Sequence, residues 1–194
     1  MALHAHSMPG GQNVSRLPLC VDLDGTLLRV DTLHVQFRHL LRKRPVHTCF
    51  ALASLARGRS HFKEALCSAG PFDPSNLPRN VAFVEWLHLQ HECGWELHLV
   101  TASHMRVAKA IAEEFGIFSS VMASSRSLNL DGRRKRDALV SRFGERQFDY
   151  AGNSRADLHV WPAARHAIVV NARAEVAQRA RQIANVLREF PPLS

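Results

Sequence analysis

Short apolar runs alternating with amphipathic helical stretches constrain this chain most, because a parallel sheet with helices on both faces is the fold that satisfies such alternation. The first run, Leu17-Pro18-Leu19-Cys20-Val21, is continuously apolar up to Asp22, as expected of a strand buried on both faces. The strand is expected over 17–23, with others over 96–100 (ELHLV), 120–123, 148–151 and 167–170 (AIVV). A helix over 104–115 places Val107, Ala108, Ile111, Ala112 and Phe115 on one face, with Gly116 at its C-cap. The pattern recurs over 80–93 with Val81, Val84, Leu87 and Leu89, closed by Gly94. It recurs from about 172 to 189 with Val176, Ala180, Ile183 and Leu187, before Pro191 and Pro192.

Residues 31–79 break the alternation. They read as three helices, around 33–42, 46–56 and 60–67, followed by a return through Pro71, Pro74 and Pro78. The expected architecture is an α/β sheet of about five parallel strands, built from 17–30 and 80–194. An all-helical cap over 31–79 follows the first strand, and 1–16 forms a flexible tail.

At 194 residues the chain has room for one sizeable core. Its net charge of +8 favours anionic partners without choosing among them. The basic residues are not interleaved with aromatics, which make up only 7% of the chain, so no nucleic-acid partner is expected. Cys20, Cys49, Cys67 and Cys93 form no CxxC pair and read as buried or half-buried free thiols of a reducing cytoplasm. The longest apolar stretch, around 49–56, is too short to span a bilayer, and 1–16 lacks the apolar segment of a secretory signal. A soluble, cytoplasmic chain is expected.

Ligands of open parallel sheets sit at the carboxyl ends of the strands. There the sequence reads Asp22-Leu23-Asp24-Gly25-Thr26-Leu27-Leu28. Bringing both carboxylates toward one site requires a local turn, which Gly25 permits. One carboxylate can attack phosphorus to form an aspartyl-phosphate, while the other protonates the leaving oxygen and then activates water.

This string resembles the first motif of the haloacid dehalogenase superfamily, and three further motifs follow in that family's order. Val100-Thr101-Ala102-Ser103 resembles the second; there the Thr101 hydroxyl and the backbone around Ala102 would bind phosphoryl oxygens. Lys135, opening a helix over 135–143, fits the third, where a fixed cation pairs with nucleophile and phosphate. Its neighbours Arg133, Arg134 and Arg136 read as a solvated face. Gly152-Asn153-Ser154-Arg155-Ala156-Asp157 resembles the fourth, metal-binding motif, with Asn153 where the family usually carries an acid. The resemblance implies a Rossmann-like core, a phosphatase using Asp22 as nucleophile and Asp24 as general acid/base, and Mg2+ held by Asp22, Asp24, Asn153 and Asp157. The Asn at 153 removes one negative charge from that site, so weaker metal binding is expected.

GNSRADLHVW, NLDG and FDYAGNS are also similar to the soluble domain found ahead of UbiA-type polyprenyltransferases, over about 17–190. That similarity implies a phosphate ester of prenyl-phosphate-linked or sugar phosphate metabolism as the small phosphorylated substrate, and a membrane-embedded UbiA-type prenyltransferase as partner. No membrane-spanning transferase is expected within these 194 residues. Asp24 weighs against a dehalogenase, which needs no acid for its leaving halide. A phosphomutase shares both aspartates. A non-catalytic module, docked on a membrane or membrane enzyme, is the alternative of a different class. His88 and His91, one helical turn apart, read as surface residues; Cys20 as a structural thiol; Trp86, Trp95 and Trp161 as packing residues. His34, Arg38, Arg42 and Lys63 are the cap residues that are candidates to face a substrate.

Overall fold

The computed structural model describes residues 16–70, 72–125 and 128–192. The expected tail lies outside them apart from Arg16, whose guanidinium donates to the Cys93 carbonyl at 2.9 Å. Six parallel strands form one sheet in the order β3-β2-β1-β4-β5-β6: β1 (Leu19–Val21), β2 (Leu97–His104), β3 (Ser120–Ser124), β4 (Asp149–Gly152), β5 (Ala167–Val170) and β6 (Val186–Phe190). The order reverses at β1, with β2 on one side and β4 on the other, so the carboxyl end of β1 opens into the crevice where such sheets take ligands.

Side chains alternate across β1, which explains its unbroken apolar run. Leu19 and Val21 join Phe83, Leu87, Val107 and Ile111 on one face. Cys20 joins Leu139, Phe148, Tyr150 and Trp161 on the other. Helices α4 (Val81–Glu92) and α5 (Met105–Phe115) cover the first face, and α6 (Gly132–Phe143) and α7 (Ala174–Ile183) the second.

The C-terminal segment departs from the expected single helix. The helix expected to about 189 stops at Ile183, and Val186–Phe190 forms a sixth strand. The outer edge of β5 leaves backbone groups that need partners, and pairing with β6 satisfies them. Phe190 then packs 5.3 Å from Phe83 and 5.6 Å from Trp86, while Leu187 turns outward. Helix α4 buries Val84 and Leu87 together with Phe83 and Trp86 but exposes Val81 and Leu89, so its buried stripe is rotated from the expected one toward Phe83 and Trp86. Cys49 and Cys93 are exposed, not half-buried; Cys20 and Cys67 are buried, and all four are free.

Between β1 and α4 lie α1 (Thr32–Lys43), α2 (Pro45–Ala53), a 3₁₀ turn (Ser54–Arg57) and α3 (Arg59–Ala69). They pack around a small core of Leu40, Ala51, Leu66 and Ala69. The chain leaves and re-enters the sheet layer at one place, where Arg29 N–H donates to Pro78 O and Asn80 N–H to Leu27 O. None of the described helices is long and apolar enough to cross a membrane.

Candidate active site

Beyond β1 the backbone turns sharply: Leu27 N–H donates to Asp22 O and Leu28 N–H to Leu23 O, with Gly25 at φ +80°. A side chain at 25 is strained by that φ and also blocked, because a Cβ there would sit 1.9 Å from Asn153 Nδ2. Asn80 and Asn171 hold the turn from outside by donating to the Gly25 carbonyl, each at 3.1 Å. Asp22 and Asp24 therefore both line one cavity of about 160 Å³. Its other walls are Asp31, Leu33, Arg59 and Lys63 from the helical layer, Ala102 and Ser103 after β2, Asp131, Gly132 and Lys135 of α6, and Ser154 and Ala156.

Asp22 Oδ1 accepts from Lys135 Nζ at 2.6 Å, and Thr26 Oγ1 lies 3.3 Å from Oδ2. Lys135 is buried in the first turn of α6, while Arg133 and Arg134 point to solvent; the helical register separates one lysine from the RRKR run. The ammonium also donates to Tyr150 OH at 2.8 Å, and Tyr150 in turn donates to Asp157 Oδ1 at 2.6 Å. Asp157 Oδ2 accepts from Asn153 N–H, Ser154 N–H and the Ser154 hydroxyl.

One cation thus serves two buried carboxylates. Burial disfavours charge on Asp157, but Lys135 and the Tyr150 and Ser154 bonds outweigh it and hold that carboxyl below its usual range. Asp22 takes the excess: burial pushes its carboxyl up to about 7, against the pull of Lys135 and with a push from Asp157. Lys135 is disfavoured as a cation by burial, yet the carboxylates beside it raise it and keep it an ammonium.

Asp24 stands in a separate network. Its Oδ1 accepts from Thr32 N–H at 2.6 Å and its Oδ2 from the Ser103 hydroxyl, which also lies 2.8 Å from Thr32 Oγ1. Burial raises the Asp24 carboxyl above its usual value, and the Ser103 and Thr32 bonds partly oppose that rise. Ser103 reaches the cavity because the β2–β3 register breaks: Thr101 pairs with Ala123 but His104 with Ser124, so residues 102 and 103 bulge out of the ladder. Thr101 itself is fully buried behind the wall, and its hydroxyl oxygen accepts from Ser103 N–H at 2.9 Å.

The helical layer is tied to this wall by α3. Lys63 Nζ donates to Ala102 O and Asn129 Oδ1, and His104 Nε2 lies 3.0 Å from Glu64 Oε2. Of the cap candidates, Lys63 lines the cavity, whereas His34, Arg38 and Arg42 are exposed and do not line it. His88 and His91 are likewise exposed, and burial pushes the Cys20 thiol up, away from reactivity.

Among the four residues expected to hold a metal, Asp24 and Asp157 are engaged by protein donors. Asp22 Oδ2 retains capacity, and Asn153 Oδ1 is buried without a hydrogen-bond partner. Among the described residues, no three His, Cys, Asp or Glu side chains form a ready-made metal site. Two hard oxygens nonetheless suit magnesium, which keeps several waters and takes substrate oxygens as further ligands.

Sequence reasoning missed Ser103, Thr32, Tyr150 and the two asparagines on Gly25. Tyr150 is the only tyrosine of the chain, and its place two residues before Gly152 was the one available signal.

A family model described as haloacid dehalogenase-like hydrolase matches residues 19–162. A curated relative, the uncharacterized protein y4nM of Sinorhizobium fredii (strain NBRC 101917 / NGR234), is 34% identical over 177 residues, or 91% of this chain. The chain spans about a third of that relative's length, 34%. Among solved structures, a protein of unknown function from Bordetella pertussis Tohama I superposes with a TM-score of 0.65 at 18% identity, covering 89% of this chain and 99% of that one. Phosphoserine phosphatase in its apo form superposes with a TM-score of 0.61 at 13% identity, covering 91% and 94%. These two likenesses carry the fold, and the family match carries the descent: the chain belongs to the haloacid dehalogenase-like hydrolases.

Proposed function

We propose that this hydrolase cleaves phosphate monoesters through a phosphorylated Asp22, with magnesium as cofactor. The observation that carries the reading is the placing of two carboxylates with different hydrogen-bond partners on one small cavity. Asp22 is paired with a buried lysine, and Asp24 is held by hydroxyl and amide donors. A nucleophile and an acid need such different environments.

In the first half-reaction an Asp22 oxygen forms a bond to phosphorus as the ester P–O bond breaks, and protonated Asp24 gives its proton to the departing alcohol oxygen. In the second, the Asp24 carboxylate takes a proton from water, whose oxygen attacks phosphorus. The acyl-phosphate P–O bond then breaks, releasing phosphate and the Asp22 carboxylate. Lys135 balances charge on Asp22 and the phosphoryl oxygens. The backbone around Ala102 is assigned to the phosphoryl group, and the Thr101 hydroxyl, behind the wall, supports that backbone by accepting from Ser103 N–H instead of reaching the cavity itself. Bound at Asp22 and Asn153, magnesium would neutralise phosphoryl charge.

A catalytically weak docking module is the second reading, favoured by Asn153 at an acidic position and by the full engagement of Asp157. The finer substrate proposal is a prenyl-phosphate-linked or sugar phosphate, with a membrane-embedded UbiA-type prenyltransferase as partner. Its support is the sequence resemblance, and a relative of which two thirds lies outside the match leaves room for such a partner segment. The deciding experiment is magnesium-dependent phosphate release from a panel of monoesters, with Asp22→Asn beside the native chain. Turnover abolished by that substitution and by chelator supports the hydrolase. A folded protein that turns over no ester supports the docking module.

A further inference from the structure

From Thr32 to Lys63 the chain contains no Asp or Glu, yet it carries seven Lys or Arg residues, nearly the whole net charge of +8. Six of them, Arg38, Arg42, Lys43, Arg44, Arg57 and Arg59, are exposed. Among the described residues none of these six has a carboxylate within 4.0 Å. The same segment concentrates exposed apolar surface. Leu41, Val46, Phe50, Leu52 and Leu55 are 46%, 64%, 74%, 43% and 47% exposed, five of the nine large hydrophobics so exposed among the described residues. Helix α2 buries only Thr48 and Ala51, although its sequence, PVHTCFALA, is apolar almost all round. A helix of that composition is ordinarily buried, and Val46 and Phe50, four residues apart, present their side chains on one face.

The charges decide what covers this surface. Arg42-Lys43-Arg44 immediately precede α2, and Arg57 and Arg59 follow its 3₁₀ extension, so cations bracket the apolar helix at both ends. A second copy meeting it face to face would set one basic bracket against another, at a cost. An anionic bilayer satisfies both features, taking apolar side chains at the acyl boundary and cations among the headgroups. We propose that the α1–α2 end of the helical layer docks this protein on anionic lipid surfaces, with Phe50 and Val46 inserted and the flanking arginines and Lys43 on headgroup phosphates. The docked layer is the one that supplies Leu33, Arg59 and Lys63 to the cavity wall. This surface stands independently of the phosphatase reading, because docking is read without turnover.

The test is co-sedimentation of the full chain with vesicles of phosphatidylcholine alone, and of phosphatidylcholine with about 30% phosphatidylglycerol. Binding is expected only to the anionic vesicles, weakening with added salt. Phe50→Asp with Val46→Asp should reduce it more than about tenfold, and Arg42→Glu with Lys43→Glu should reduce it by at least about fivefold per cation removed. Leu89→Asp, an exposed apolar residue on α4, should leave it unchanged and controls for folding. A Phe50→Trp variant should show a blue-shifted emission on anionic vesicles. Equal binding to both vesicle types, no binding at low salt, or binding that survives both double substitutions overturns the proposal. So does self-association abolished by Phe50→Asp in a chain that ignores vesicles, which would make this face a protein interface.

Discussion

Lys135 Nζ lies 2.6 Å from Asp22 Oδ1, although 113 residues separate them in sequence, and the same ammonium stands 3.7 Å from Asp157. Removing it leaves two buried carboxylates with no cation. Lys135→Ala should therefore cost about 3–5 kcal/mol of stability and lower kcat by about a hundredfold or more. Urea unfolding and phosphate release, measured on the same preparation, check both. A variant of native stability would show that the pair carries no structural burden.

Asp22 must be a carboxylate to attack, and burial raises its carboxyl from 3.8 to about 7. Since protonation below that value removes the nucleophile, kcat/KM should climb as pH rises through about 7. A bound cation favours the carboxylate, so raising magnesium should move the midpoint to lower pH. A profile flat from about pH 5 to about pH 8 at low magnesium would contradict the assignment.

Ser103→Ala removes a donor that favours the charged form of Asp24. The Asp24 carboxyl should rise further, shifting the alkaline limb of the kcat profile upward. The rate should fall about tenfold with little change in KM. Ser103→Thr, which keeps the hydroxyl, should restore the native limb.

Asn153 Oδ1 is buried without a partner and the Asn153 amide lies against Gly25. Asn153→Asp should tighten magnesium binding about tenfold, read by calorimetric titration. Gly25→Ala should act oppositely: strain at φ +80° costs about 1–2 kcal/mol, and its Cβ drives the residue-153 amide from its place.

His98 is buried in β2, with Nδ1 2.8 Å from Ser120 Oγ. Burial lowers its pKa beneath the ordinary 6.5, so between the two values the unfolded chain binds more protons. Its contribution is whole above about pH 6.5 and is lost as pH falls through the folded value. The slope is at most about 1.4 kcal/mol per pH unit. His98→Gln should flatten the acid side of the stability curve relative to native protein; parallel curves would refute the account.

The strands and the first acidic pair were legible because both rest on local pattern. The apolar run before Asp22 needs only its own residues to declare a buried strand, and Gly25 declares the turn. What stayed hidden depends on contacts distant in sequence. Leu187 fits a helical stripe as well as Val176 does, and only the open edge of β5 makes it part of a strand. Ser103 sits two residues past Thr101 and looks interchangeable with it; the bulge in β2 sends one to the cavity and leaves the other behind the wall. Lys135 was recognisable by its place in the order of the motifs and at the start of a helix, whereas Tyr150, which links it to Asp157, offered only its position two residues before Gly152.

The two hydrogen bonds that join Arg29 to Pro78 and Asn80 to Leu27 make residues 31–79 a loop closed at its own base. Whatever replaces that loop need only begin and end at adjacent points, so the sheet places little restriction on its length or shape. The chain is thereby divided into a part that must be kept to hold Asp22, Lys135 and Asp157 together and a part open to exchange. Swapping the loop beyond Thr32, whose N–H holds Asp24, for one from another family member is a route to new substrate preference that leaves the anchoring of Asp22, Lys135 and Asp157 in the sheet layer intact.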